Sequence, residues 1–161
     1  MNGSHSVVVV TGAGSGIGRA IARALHAEGR SVVLVDLDPA AALAELTADG
    51  GAPVIAVTGN VADPATHEAA RDAAATVGRL DGWVNCAGID RPCPLPDLTP
   101  AEAARTVDAN LYGTLWGTRT AVSTWLAQSR PGALVAISSV HGRRAYPDHG
   151  VYEMTKAAIE A

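Results

Sequence analysis

Residues 7–10 (VVVV) run directly into Thr11-Gly12-Ala13-Gly14-Ser15-Gly16-Ile17-Gly18, and this junction constrains the chain more than any other feature. Consecutive β-branched residues read as a strand covered on both faces, as the strands of a parallel sheet are. Ile17, Ala20, Ile21, Ala24 and Leu25 then recur at helical spacing, and Gly29 stands where a helix should close. A glycine-rich turn between strand and helix lets the backbone approach a pyrophosphate with no Cβ in the way, and the N–H groups that open the helix favour negative charge. Other phosphate signatures do not fit. No G-x-x-x-x-G-K is present, and the third glycine of G-x-G-x-x-G would fall on Ile17 counted from Gly12 and on Arg19 counted from Gly14. The spacing is T-G-x-x-x-G-x-G.

The alternation persists along the chain. Apolar runs at residues 32–35, 54–57, 82–85 and 133–137 read as further strands. Asp38-Pro39 and Asp63-Pro64 each place a capping residue before a helical segment, the first carrying Leu43 and Leu46 on one face up to Gly50-Gly51, the second ending near Val77. Residues 91–98 are a proline-rich loop, and Thr99-Pro100 opens a short helix. A long helix follows, with Leu111, Leu115, Thr118, Val122 and Trp125 as its expected buried stripe, and residues 151–161 are helical to the last residue. Strands alternating with helices predict an α/β fold, a doubly wound parallel sheet of about five strands, as a single domain over residues 1–161.

Composition narrows the class. The 161 residues are 48% hydrophobic and 17% charged with a net charge of -4, which favours a globular core over disorder. Twelve basic against 16 acidic residues provide no field to gather nucleic acid, and no run is long enough to span a membrane, so neither is expected as a partner. Cys86 and Cys93 form no C-x-x-C pair, and residues 1–6 lack the basic and long apolar segments of a signal peptide; a cytoplasmic location is expected. His5, His26, His67, His141 and His149 show no i, i+4 pair, so no metal site is expected.

Asp36 closes the second strand at about the distance from the turn where a carboxylate accepts hydrogen bonds from an adenosine ribose. Its charge would repel a 2′-phosphate, and neither Ser15 nor Leu37 supplies a compensating cation, so NAD is expected in preference to NADP. Tyr152 and Lys156 are four apart on the last helix and so share a face, about 6 Å apart along its axis. An ammonium beside a phenol favours the phenolate, which suits general acid–base work at a hydroxyl or carbonyl. A Tyr-x-x-x-Lys pair by itself is more often a solvated helix face. Ser138-Ser139 adds weight, because it follows the fifth strand at the carboxyl edge of the sheet, where such sheets bind ligands. Tyr146 is followed four residues later by Gly150, so the pairing argument selects Tyr152.

With these motifs in place the chain closely resembles the short-chain dehydrogenase/reductase family. The resemblance rests on T-G-A-G-S-G-I-G at residues 11–18, N-C-A-G at 85–88, Asn110 in D-A-N-L-Y-G, Ser139 in I-S-S-V and Y-E-M-T-K at 152–156. It implies a Rossmann-like fold whose C-terminal part lies beyond residue 161, and an NAD-dependent oxidoreductase acting on a small alcohol or ketone. By resemblance, Tyr152 is the acid/base, and Lys156 lowers its pKa and binds the nicotinamide ribose. Ser139 orients the reacting oxygen and Asn110 holds a water in a proton relay. Gly12, Ser15, Gly16, Ile17, Gly18 and Asp36 cradle the cofactor, Asn60 and Val61 meet the adenine, and Asn85, Ala87 and Gly88 pass beside it. A homo-oligomer is implied for the full-length form. Cys86 stands where the family often has asparagine, and it reads as a small packed thiol.

His141, Arg143, Arg144 and His149 flank the expected pocket, where they would greet an acidic substrate or serve only as solvated loop charge. Two other readings compete with an enzyme: a cofactor-binding module without turnover, and an interaction fragment with a vestigial site.

Overall fold

The structure is a computed structural model that describes residues 5–48 and 50–161. Most of the polar segment read above as lacking a signal peptide lies outside the described residues. Strands β1 (His5–Thr11), β2 (Ser31–Asp36), β3 (Val54–Thr58), β4 (Gly78–Asn85) and β5 (Ala133–Ala136) form one parallel sheet in the order β3-β2-β1-β4-β5. Helices α1 (Gly16–Ala27), α2 (Ala40–Ala48), α3 (Pro64–Val77), α4 (Pro100–Val107), α5 (Gly113–Ala127) and α6 (Gly150–Glu160) make the crossovers and close the described chain.

The strand pleat sorts the core into two layers. Val8, Val10, Val32 and Leu34 face Ala22 of α1 and Ala42 and Leu46 of α2. Val7, Val9, Val33 and Val35 face the opposite way, where Trp83, Ala70, Ala74, Ala121 and Trp125 complete a second cluster against α3 and α5. The sheet is therefore doubly wound, with both faces covered over its central strands. No described helix is long and apolar enough to cross a membrane.

The helix starts follow the capping signals. Asp63 accepts from the Ala65 amide at 2.9 Å, and Thr99 and Glu102 form a reciprocal capping box at the start of α4. Gly29 closes α1, its own N–H and that of Arg30 donating to the carbonyls of His26 and Leu25.

Three elements differ from the sequence pattern. In α1, Ala20 and Ala24 are exposed and Ile17 is 64% exposed, whereas Gly18 and Ala22 are buried and Ile21 and Leu25 half-buried. The inward face is thus turned by about one residue, and Ile17 is released to the carboxyl edge of the sheet. β4 begins at Gly78, ahead of the apolar run at 82–85. Its first half is polar apart from the buried Leu80, and a register shift between Val7 and Val8 passes over Asp81, whose carboxylate pairs with Arg79 and Arg130 at 2.7 and 2.8 Å.

The expected stripe of the long helix is the third difference. Leu115 and Val122 are exposed at 48% and 38%, and the buried positions are Gly113, Gly117, Thr120, Ala121 and Trp125. Close approach explains this: a Cβ on Gly117 would meet Asn85 Oδ1 and lie 2.8 Å from Trp83 Nε1. Small residues let α5 lie against β4, so Leu115 and Val122 project outward, while Trp125 of the expected stripe is buried. The short and long helices are also one helical course, joined by a π-helical stretch at Asp108–Tyr112 that contains the fully buried Asn110.

His67 is fully buried, with Nε2 2.8 Å from the Val61 carbonyl, its ring against Trp83, and Nδ1 without a partner among the described residues. Burial lowers its pKa, outweighing the Val61 carbonyl and the charge of Asp63. A base whose folded pKa lies below its unfolded value contributes stability that is complete above the unfolded pKa and is lost as pH falls toward the folded one. Lowering the pH from about 7.5 to about 5.5 should therefore lower the thermal midpoint. In His67→Gln, which can still donate to Val61, that dependence should flatten; an equal slope in both proteins would contradict this origin.

Candidate functional site

The winding reverses between β1 and β4, so the loops leaving their carboxyl ends diverge and open a crevice. Thr11 ties the two sides together. Its Oγ1 accepts from the amides of Cys86 and Ala87 at 3.0 and 3.1 Å. Gly12 follows at φ +70°, and a Cβ there would lie 2.8 Å from Ala87 Cα, so only glycine lets the turn settle against the loop after β4. The other flank is fastened by Asp36, whose two oxygens accept separately from the amides of Gly14 (2.9 Å) and Asp38 (3.2 Å).

The crevice is a cleft of about 660 Å³. Gly12, Ser15, Gly16, Ile17 and Gly18 line one end, with Asp36, Asn60 and Val61 beside them. Ala87 and Gly88 line the middle, and Ser139, Tyr152 and Lys156 the far end. Residues scattered over most of the sequence thus share one wall. Ser15 makes no side-chain cap on α1, so the opening amides of that helix are available to an anion, and the side-chain position of Gly16 faces open space. These features fit a pyrophosphate.

Two residues tied to the site by motif stand elsewhere. Asn85 is buried away from the cleft: its Oδ1 accepts from Trp83 Nε1 at 2.9 Å, and its amide donates to the Thr114 carbonyl (3.3 Å) and Thr118 Oγ1 (3.1 Å). Asn110 likewise has no face on the cleft. Its Oδ1 accepts from the Ile89 amide at 2.7 Å, and its Nδ2 donates to the Ile89 carbonyl (2.9 Å) and Thr155 Oγ1 (3.1 Å). The side chain is fully used in joining the loop after β4 to α6, the helix that carries Tyr152 and Lys156.

Lys156 is buried, its Nζ donating to the Ile137 carbonyl at 2.7 Å and standing 5.6 Å from the centre of the Tyr152 ring. Burial pulls the ammonium pKa down, against a raising influence from Cys86. Burial also pushes the Cys86 thiol up, partly offset by Lys156, so this cysteine stays protonated. Both serines line the cleft: the Ser138 hydroxyl donates to Glu160 Oε1 at 2.8 Å, and Ser139 Oγ accepts from the His141 amide at 3.2 Å.

His141 and His149, expected beside the pocket, form with Tyr146 a ring cluster around Tyr152 whose packing the sequence pattern did not reveal. The His141 ring packs edge-on against Tyr152 (centroids 5.4 Å) and His149 (4.7 Å) and stacks on Tyr146 (4.2 Å). His149 Nδ1 lies 2.9 Å from Asp90 Oδ1, joining this cluster to the loop after β4. Ile89, Asp90 and Ile137 also line the cleft, and the only signal for them was their place just beyond the ends of strands. Among the described residues, no group of three or more His, Cys, Asp or Glu is arranged to hold a metal.

Residues 6–161 match the family model for short chain dehydrogenases. The chain belongs to the short-chain dehydrogenase family. It is 35% identical over 156 residues to 3beta-hydroxysteroid dehydrogenase 1 of Eggerthella lenta, covering 94% of this chain and 60% of that protein. A short chain dehydrogenase from Mycobacterium smegmatis superposes with TM-score 0.90 at 31% identity, over 97% of this chain and 67% of that one. A 3-oxoacyl-acyl-carrier-protein reductase from Brucella melitensis, solved with bound NAD, does so with TM-score 0.87 at 33% identity, over 97% and 62%. This family member thus spans 60–67% of the length of these relatives.

Asn110→Leu should leave the Ile89 amide without its acceptor and detach Thr155. A loss of about 2–4 kcal/mol in urea denaturation is expected from a buried donor left unpaired together with its lost partners. A loss below about 0.5 kcal/mol, the range of ordinary surface changes, would show that the tie is dispensable.

Proposed function

We propose that the protein to which this chain belongs is an NAD(H)-dependent oxidoreductase that interconverts an alcohol and a ketone, with Tyr152 as the acid/base. The observation that carries this reading is the convergence of Ser139, Tyr152 and Lys156 on the same cleft that the glycine-rich turn opens. A bound nicotinamide would accept or supply the hydride. The chain's own residues do the rest. The amides opening α1 and the bare backbone at Gly16 hold the pyrophosphate, and Asn60 and Val61 offer a surface to the adenine. Ser139 holds the substrate oxygen in place.

Tyr152 then gives a proton to that oxygen in reduction or removes it in oxidation. The Lys156 ammonium, held on the Ile137 carbonyl, is fixed 5.6 Å from the centre of the Tyr152 ring. Asp36 supports NAD over NADP, because its carboxylate at the end of β2 would face the additional phosphate. The outward face of α5, with Leu115, Val122 and the stacked Tyr112–Trp116 pair, supports a homo-oligomer. The free thiols Cys86 and Cys93 fit a reducing compartment such as the cytoplasm.

Tyr152→Phe removes the transferable proton and leaves the nucleotide end of the cleft intact. Ketone-dependent NADH oxidation should fall at least a thousandfold, within the usual scale for acid–base catalysis, while NADH affinity changes less than about threefold. Retained turnover would contradict the assignment. Asp36→Ala should narrow the preference for NADH over NADPH by about tenfold in paired titrations, the scale of one removed charge contact. A wild-type protein that prefers NADPH would overturn the electrostatic argument.

A further inference from the structure

Asp90 and Tyr152 face two cavities. One is the cleft described above; the other, about 610 Å³, lies between the loop after β4 and the start of α6. Its apolar wall is made by Leu95, Leu98 and Val151, and Tyr146 adds a ring. A chamber that opens onto the acid/base from the side opposite the turn is suited to the body of a substrate rather than to the nucleotide.

Its charge is one-sided. The exposed carboxylates of Asp90, Glu102 and Asp148 line it, against one exposed cation, Arg91, and against His149, whose ring is paired with Asp90. Glu102 is held ionised by the Thr99 hydroxyl and amide, which keep its carboxyl below the usual range. Asp148 sits at φ +67° with its carbonyl accepting from the Cys93 amide at 2.7 Å, which fixes its place at the rim. The Cys93 thiol registers the local field: burial, then Glu102, Asp97 and Asp148 all push it above its ordinary value. Of the basic flank anticipated from the sequence, His149 lines this cavity, whereas Arg143 is paired to Glu160.

We propose that this second cavity seats the substrate and selects neutral or cationic carbonyl and alcohol compounds with an apolar body, turning away those that carry a carboxylate. The proposal rests on the oxidoreductase reading and adds the substrate class. The carboxylates act through charge alone, and the apolar wall takes the carbon skeleton. Carboxylate-bearing substrates would meet like charge in a partly enclosed space, where screening is weaker than in bulk water.

The test uses a matched pair, ethyl 4-oxocyclohexanecarboxylate and 4-oxocyclohexanecarboxylate, which share ring and ketone and differ in charge. Each is titrated by ligand-observed NMR into the 161-residue chain saturated with NAD+. The ester should bind at least tenfold more tightly than the acid, and the gap should shrink with added salt. It should also shrink in Asp148→Asn with Glu102→Gln, since Asn tolerates the left-handed backbone and Gln retains the cap on Thr99. Equal or tighter binding of the acid, a gap that ignores both salt and the double substitution, or no binding of either probe overturns the proposal. The NAD+ titration separates the two levels. NAD+ binding with the wrong probe order removes only the substrate class, whereas no NAD+ binding removes the oxidoreductase reading and this proposal with it.

Discussion

The Thr11 hydroxyl is the contact on which the remainder of the site depends. It sits at the end of β1, at the reversal of winding, and its Oγ1 holds the amides of Cys86 and Ala87 from the neighbouring β4 loop. Diverging loops would otherwise leave those amides to water and the crevice without a defined floor. With them fastened, Gly12 can lie against Ala87, and the turn, Asp36 and α1 take their positions around a single opening. The far end is built the same way: Asn110 joins the β4 loop to Thr155, and Lys156 joins α6 to the end of β5 through Ile137. Buried polar groups of this kind cost more to leave unpaired than they contribute when paired, so they act mainly to specify one arrangement.

Much of this was legible in the sequence because it rests on local rules. Thr11 to Gly18 announces a strand, a turn and a helix in one stretch, and the Asp-Pro and Thr-Pro caps mark helix starts without reference to the rest of the chain. Tyr152 and Lys156 share a face because of helical spacing alone. The parallel direction of the strands follows from their alternation with helices, whereas the point between β1 and β4 where the winding reverses carries no local signal. Gly12, Ser15, Gly16, Ile17, Gly18 and Asp36, singled out in the sequence, line one end of the cleft with Asn60 and Val61, whereas Asn85 does not reach it.

Other features were hidden because tertiary contact decided them. The stripe on α5 was drawn through large apolar residues, yet close approach selects Gly113 against Val61 and Gly117 against β4, and Leu115 and Val122 turn out. Ile17 belongs to the apolar rhythm of α1 but faces the cleft. The first half of β4 has a single apolar residue, Leu80, among Gly78, Arg79 and Asp81, too weak a signal for a strand, and it becomes strand by pairing with β1. Asn85 and Asn110 lie in motifs that surround the site, and only the packing shows that their side chains are spent on internal ties. The His141, Tyr146, His149 and Asp90 cluster joins loops far apart in the chain, so no spacing could announce it.

The most direct test of this account compares NADH binding by the wild-type chain and by Thr11→Val, which keeps the side-chain shape and removes the acceptor for the two amides. Titration calorimetry, with folding checked by circular dichroism, should show saturable one-to-one binding for the wild type and at least tenfold weaker binding for the variant. Equal affinity in both would show that the clasp does not shape the cleft, and no binding by the wild type would contradict the assignment of the cleft to a nicotinamide nucleotide.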